Sequence, residues 1–379
     1  MFTRREFIGT SLGTSVTASA LPSLLGAAAP GLQGTRVLVD WHSHFFTNAE
    51  LKALCARKQA PFIRIDAAGT PWLQNATTVS SAAGKPSVYS RSDVQVRLQH
   101  LDQHGVERQL LTQTVALGLD ATLPTEELKP LFRAVNDELA EVVRAHPNRF
   151  LGVAALPTAD PDWAADELRR AHRELGFIGG SLPLNAFATH EGALTLAPLF
   201  AEAQKHGSHF FIHRGPASNK MPGQPPLVLP ADTDQARWSL ISNSHLTAGG
   251  ITLGLTDFLD PYPDVTVEIV MLAGFTPYLV DSWVQSGRRD GVADPLARLR
   301  RLYLDTGPYS RNGEWVALAA TKLGADRILF GTDYGVGGGS NGDVGPAIAS
   351  LDQALTQTQR QAIYIDNSRR LLIGKNITV

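Results

Sequence analysis

The stretch "VLVDWHSHFF" (37–46) sets two histidines one residue apart at the end of a short apolar run. Side chains alternate across an extended chain, so His42 and His44 project from one face together with Asp40, and Trp41 and Ser43 from the other. Two imidazoles on one face supply what a divalent ion requires of its first two ligands. Two more candidates close apolar runs far along the chain: His213 in "FFIHRG" and Asp333 in "LFGTDYG". Three imidazoles and a carboxylate form a hard-to-borderline N/O set that suits zinc, manganese or iron. Cys55 is the lone cysteine, which excludes a thiolate-rich zinc site and an intramolecular disulfide, and it reads as an inert buried thiol. No G-x-S-x-G occurs, so a serine nucleophile finds no support. "GGGSNG" (337–342) has the G-x-G-x-x-G spacing, but only 37 residues follow. That is too few for a second βαβ unit with its acidic ribose partner, so dinucleotide binding is rejected. A loop whose amides meet an anionic substrate is the functional alternative there to plain flexibility. His100 and His104 share a helix face but lack the glutamate of a zincin motif; they, His146, His172, His190, His206 and His209 read as non-ligands.

Residues so distant in sequence meet only if a fold gathers the ends of many strands. Eight short apolar runs begin near residues 37, 107, 150, 177, 209, 265, 301 and 327, and amphipathic patterns separate them. Examples are 130–146, 162–175 and 196–207, the last ending in Gly207 as a C-cap. Strands separated by helices pair in parallel, and eight such units close a TIM-type (β/α)8 barrel; an open doubly wound sheet is the alternative. Residues 47–92, 214–234 and 335–345 break the rhythm, each after a strand. They predict a distorted barrel with long βα loops at the C-terminal face, where active sites are built. No repeat or linker divides the chain, so residues 30–379 form one domain.

Apolar residues make up 43% and charged ones 18%, enough for a substantial core. A net charge of −2 offers no basic excess for phosphates, which argues against nucleic acid or an anionic membrane and for a small-molecule partner. "TRREFIGTSLG" pairs Arg4 and Arg5 before a modestly apolar stretch, and "GAAAP" places Ala27 and Ala29 in a cleavage pattern. Residues 1–29 therefore read as a twin-arginine signal peptide, and the mature protein as periplasmic. That route carries folded proteins, so a metal can be loaded before export. No later apolar run reaches the roughly 20 residues of a membrane span.

H-x-H on the first strand, His213 on the fifth and Asp333 on the eighth resemble the amidohydrolase superfamily. The chain is similar to its amidohydrolase-related branch, which contains aminocarboxymuconate semialdehyde decarboxylase and the resorcylate-type decarboxylases. Segments 37–46, 92–112, 176–216 and 260–335 carry the likeness. The resemblance implies one metal, because the fourth run, "FIGGSLPL", has no lysine to bridge two. It also implies a homodimer, and an Asp333 that can deliver a proton as well as bind the ion. The chain departs from the branch after the sixth strand. Where the family usually reads His-x-Gly-Gly-x-x-Pro, this chain reads "MLAGFTPYL", placing Met271 at the acid/base position. Methionine transfers no proton. The arginine that follows in the family is replaced by "VDSW" (280–283). Arg214 is the replacement clamp for a substrate carboxylate, and His245, in the loop before strand six, the substitute base; Trp41 and Met271 complete the expected substrate contacts. The leading reaction is non-oxidative decarboxylation of a small organic acid on one zinc, manganese or iron ion. The alternatives are metal-dependent hydrolysis of an ester, lactone or amide, and a relative that binds without turnover.

Overall fold

The computed structural model describes residues 35–74, 76, 87–88, 93–225, 235–335 and 344–378. The expected signal peptide, residues 226–234 of the long loop after the fifth strand and the glycine-rich 336–343 lie outside the described residues. Eight strands form the framework: β1 (Val37–Asp40), β2 (Val106–Leu111), β3 (Phe150–Gly152 and Ala154–Ala155), β4 (Gly179–Pro183), β5 (His209–His213), β6 (Thr266–Ile269), β7 (Leu302–Asp305) and β8 (Ile328–Leu329). Every neighbouring pair is parallel. The last strand returns to the first. Trp41 N donates to Phe330 O at 2.9 Å, Asp333 N to His42 O at 2.8 Å and His44 N to Tyr334 O at 2.7 Å. This is the expected (β/α)8 barrel. β1, β4 and β5 are buried along their whole length, as strands wrapped by helices must be.

The connecting helices follow the amphipathic pattern. Leu128, Phe132, Val135, Leu139 and Val143 recur on the buried stripe of Thr125–Ala145. Asp160 caps Pro161–Arg170 by accepting from Trp163 N at 3.1 Å. Gly207 takes the left-handed C-cap conformation, φ 56°, after Ala197–His206. The first long loop has structure of its own. Thr47 caps a helix, Asn48–Ala56, and three short antiparallel strands follow at Phe62–Ile65, Pro71–Gln74 and Ser87–Val88. Asp66 builds the turn between the first two strands, accepting from Ala68 N, Thr70 N and Trp72 Nε1 at 2.8–2.9 Å. Cys55 is exposed on the outer face of Asn48–Ala56, correcting the buried reading, because Leu54 takes that helix's inner position.

Asp40 joins three strands. Its Oδ1 accepts from His42 N (3.2 Å) and Thr332 N (3.0 Å), and its Oδ2 from Gln109 Nε2 and Thr332 Oγ1 (both 2.7 Å). Burial raises its pKa to about 6, against the pull of those donors. Arg97, buried beneath the turn, donates to His44 O (2.6 Å), Gln109 Oε1 (2.7 Å) and Ser43 Oγ (3.2 Å). The pairing Asp40↔Gln109 and then His44↔Thr112 gives β1 one residue more than β2 across this turn, a bulge that re-aims what lies within it. Asp40→Ala strands several buried donors at about 1–3 kcal/mol each. Urea denaturation is expected to show a loss of about 3 kcal/mol or more; a loss under 1 kcal/mol would contradict this role.

Candidate metal centre

One ligand atom each from His42, His44, His213 and Asp333 lies within 4.8 Å of the other three, and all four residues are buried. Each stands just beyond or at the C-terminal end of β1, β5 or β8. Asp333 Oδ1 lies 3.2 Å from His42 Nε2 and 3.1 Å from His44 Nε2. The ring of His213 lies 5.2 Å from that of His42 and 4.7 Å from that of His44, both edge-on.

The surroundings fix which nitrogen of each ring faces the cluster. Thr112 Oγ1 donates to Ser43 O (2.8 Å), so its oxygen accepts from His44 Nδ1–H at 3.1 Å. His213 Nδ1 lies 2.7 Å from Arg214 O, a pure acceptor, so Nδ1 carries the proton. His42 Nδ1 lies 3.1 and 3.0 Å from the two oxygens of Asp305. All three Nε2 atoms therefore present lone pairs to the centre. His213 Nε2 is buried with no hydrogen-bond partner, a costly arrangement for a polar atom unless it ligates something. The donors thus fit a single divalent ion of zinc or manganese type, oriented from behind by Asp305, Thr112 and a backbone carbonyl.

Charge supports the same conclusion. Burial, the largest influence, favours a neutral His42, yet Asp305 and Asp333 outweigh it and raise its pKa to about 10. Burial would likewise raise Asp333, but the charge of His42 and the close approach of both imidazoles hold it well below the usual carboxylate range. Burial lowers His44 and, further, His213, which keeps both as neutral donors. Two carboxylates enclosed with three imidazoles call for positive charge.

Close packing enforces this geometry. A Cβ at Gly331 would sit 2.7 Å from His42 Cβ and 3.3 Å from Asp305 Cβ. One at Gly307, φ 41°, would meet His42 Nδ1 at 3.2 Å and Met271 Cγ at 3.3 Å. Met271 therefore flanks the histidines. It is not on a strand, as the apolar run 265–273 predicts. β6 stops at Ile269, and Met271, Leu272 and Ala273 take φ of 56°, 55° and 51°. Left-handed non-glycine residues cost roughly 1–2 kcal/mol each and gather at functional sites. Met271 N donates to Asp305 Oδ1 at 2.9 Å and helps hold the turn.

The other expected substrate contacts divide. Arg214 is half-buried; burial lowers its pKa, while the charges of Asp333 and Tyr309 oppose that, placing it beside the centre. His245 is within the helix Gln235–Leu255 rather than in a loop; no proline interrupts 235–255, and the helix runs on through Gly249 and Gly250. It is partly buried, and burial and then Arg214 lower its pKa. Tyr309, which carried no sequence signal, donates to Asn243 Oδ1 and interacts with Arg214. Trp41 is corrected outright. Its Nε1 donates to Ser368 Oγ at 2.9 Å and its ring lies 5.1 Å from that of His209, at the start of β5 and the opposite end from His213. It is fully buried there and cannot touch a substrate at the mouth.

This fold and site define a class, and the chain belongs to the amidohydrolase family, whose model matches residues 39–373. The gamma-resorcylate decarboxylase of Rhodococcus jostii (strain RHA1) is 30% identical over 268 residues, 64% of this chain and 77% of that one. The 2-amino-3-carboxymuconate-6-semialdehyde decarboxylase of Dictyostelium discoideum is 33% identical over 255 residues, 64% of this chain and 66% of that one. A dihydroxybenzoic acid decarboxylase structure from Polaromonas sp. JS666, with bound manganese and 2-nitroresorcinol, shares the fold. Its TM-score is 0.63 at 20% identity, covering 89% of this chain and 97% of that one.

Removing a ligand should remove the ion without unfolding the barrel. Purified His213→Ala and Asp333→Asn are expected to retain less than about a tenth of the wild-type metal after chelator dialysis and gel filtration, with unchanged far-UV circular dichroism. Full metal content in both would contradict the assignment.

Proposed function

We propose that the protein is a metal-dependent carboxy-lyase that removes carbon dioxide from a small hydroxylated aromatic or related unsaturated acid. The observation that carries this reading is the buried cluster of three Nε2 lone pairs and the Asp333 carboxylate, in a chain whose relatives are decarboxylases of such acids. A divalent ion held there would supply positive charge for the substrate's carboxylate and neighbouring hydroxyl oxygens. The nitrogen-rich donor set favours zinc, and the Polaromonas relative supports manganese.

In this reading Arg214, next to His213 in the chain, anchors a substrate oxyanion by a charge-assisted hydrogen bond. Met271 offers an apolar, polarizable wall for the ring. When the bond to the carboxyl carbon breaks, its electron pair stays on the substrate carbon, and a proton must replace the departing carbon dioxide. Asp333 is the ligand suited to deliver it, since its side chain is 11% exposed whereas those of His42 and His44 are fully enclosed. Held far below the usual carboxylate range, Asp333 carries no proton at rest, so the proton it passes on would first be taken from the substrate's own hydroxyl group. His245, kept neutral by burial and by Arg214, is the base this reading assigns to accept a proton. Water attack on an ester or lactone would need a dedicated acid/base where Met271 stands, which ranks hydrolysis second. The Arg4–Arg5 pair and the Ala27–Ala29 pattern support export of the folded protein by the twin-arginine route to the periplasm.

Incubation with a hydroxybenzoate panel is expected to release carbon dioxide, chelator should abolish this, and Asp333→Asn should lower kcat by about 10²-fold or more. Acid release from esters or lactones without carbon dioxide would favour hydrolysis. Metal uptake without any turnover would leave a binding protein. Arg214→Met is expected to raise KM about tenfold with a smaller change in kcat; an unchanged KM would remove Arg214 from the substrate. The exported protein should begin at residue 30 on N-terminal sequencing, and an intact Met1 in a cytosolic fraction would contradict export.

A further inference from the structure

The segment that carries Arg214 out of β5 is held by loops from four other strands. Asn185 N, after β4, donates to Gly215 O at 3.2 Å. A Cβ on Gly215 would meet Val115 Cγ1 and Val115 O at 2.9 Å. One on Gly118, φ 75°, would meet Ala76 Cβ at 2.7 Å and Pro216 Cγ at 3.0 Å. The loops after β1, β2 and β5 therefore close on one another at these two glycines. Ser218 comes next. Its carbonyl accepts from Met221 N at 2.9 Å and from Gln224 Nε2 at 2.5 Å, so residues 218–224 fold around it. Its own N–H donates to Thr158 Oγ1, in the loop after β3, at 2.9 Å.

Thr158 is fixed in turn by a buried carboxylate. Its Oγ1 donates to Asp120 Oδ2 at 2.5 Å, which leaves that hydroxyl oxygen to accept from Ser218. Thr158 N donates to Asp120 Oδ1 and Oδ2 at 3.1 and 3.2 Å. Asp120 lies on the short helix Leu119–Thr122 that follows Gly118, and Asp120, Thr158 and Ser218 are all buried. One line of hydrogen bonds thus joins the loops after β2, β3 and β5. Burial raises the pKa of Asp120 to about 6 against these donors, so at neutral pH it is a carboxylate and only accepts. Two donors of Thr158 converge on it. An acceptor-only group satisfies both and keeps the Thr158 oxygen turned to Ser218.

We propose that Asp120, acting through Thr158 and Ser218, is a positioning residue that braces the segment after β5 and so aims Arg214 at a substrate carboxylate. The inference rests on the reading of Arg214 as the substrate clamp. His213 is held by β5 itself, in register with Pro183 of β4, so the brace bears on Arg214 rather than on the metal ligand. Arg214 is the first residue past the strand, and the direction of its long side chain follows the path of the backbone from 214 to 218. A clamp displaced by about an ångström binds its anion poorly.

The test uses the manganese-loaded mature protein and compares Asp120→Ala, Thr158→Val and Thr158→Ser. Valine matches threonine in shape and lacks the hydroxyl; serine keeps it. Hydrogen–deuterium exchange by mass spectrometry reads the 214–225 peptide directly. Exchange there is expected to be about tenfold faster in Asp120→Ala and Thr158→Val, and within about twofold of wild type in Thr158→Ser. With the hydroxybenzoates that the wild type turns over, KM is expected to rise about fivefold in the first two variants, with kcat within about twofold and metal content unchanged. Unchanged exchange in Thr158→Val, equal changes in the valine and serine variants, or a steady KM where Arg214→Met raises it would each overturn the proposal. If Asp120→Ala fails to fold, the two Thr158 variants decide. No turnover in the wild type, or an unchanged KM in Arg214→Met, would instead sink the reading beneath this one, and exchange alone then decides whether Asp120 braces the segment.

Discussion

A single carboxylate oxygen, Asp333 Oδ1, faces the Nε2 atoms of His42 and His44 at 3.2 and 3.1 Å, and that juxtaposition depends on the seam where β8 returns to β1. Asp40 makes the seam by taking donors from Thr332 on one side and Gln109 on the other. Arg97 holds the backbone of His44 from beneath. Gly331 lets β8 approach His42 as closely as it does. The site is thus a consequence of barrel closure. Opening the seam by an ångström would separate Asp333 from both imidazoles, and a centre of this kind tolerates little such slack.

The fold was legible because the eight apolar runs and their amphipathic spacers are periodic over most of the chain. The four clustered residues were legible for a related reason. Each ends one of those runs, and strand ends converge in a parallel barrel. What stayed hidden depends on tertiary detail. Trp41 lies inside the first motif, yet its indole packs beside His209 at the start of β5. Arg97 and Gln109 look like ordinary surface polar residues of a helix and a strand, and only the fold buries them. Tyr309 and Asn243 lie 66 positions apart and meet through packing alone. The pairing of His209 with Glu268 was within reach, since both lie in recognised strands, and "HFFIH" places His209 in step with His213. The signal went unused because a histidine at a strand start carries no motif.

The strand-six region, where the resemblance puts Met271 in place of a histidine, also carries an unusual backbone. Three successive left-handed residues turn the chain shortly after β6, and Met271, packed with His42 around Gly307, has no proton to offer. In the proposed reaction, acid and base duties at the mouth fall to Asp333 and to side chains from neighbouring loops and helices. Arg214 brings charge, while Tyr309, Asn243 and His245 form a polar wall around it. Decarboxylation asks less of a dedicated water-activating base than hydrolysis does, which fits the departure to the chemistry of the relatives.

Anomalous diffraction at the manganese edge, on crystals of the mature protein grown with manganese, tests the central claim most directly. One peak per chain is expected, bonded to Nε2 of His42, His44 and His213 and to the carboxylate of Asp333. A peak held by other residues, or no peak while these four side chains keep their positions, would contradict the account.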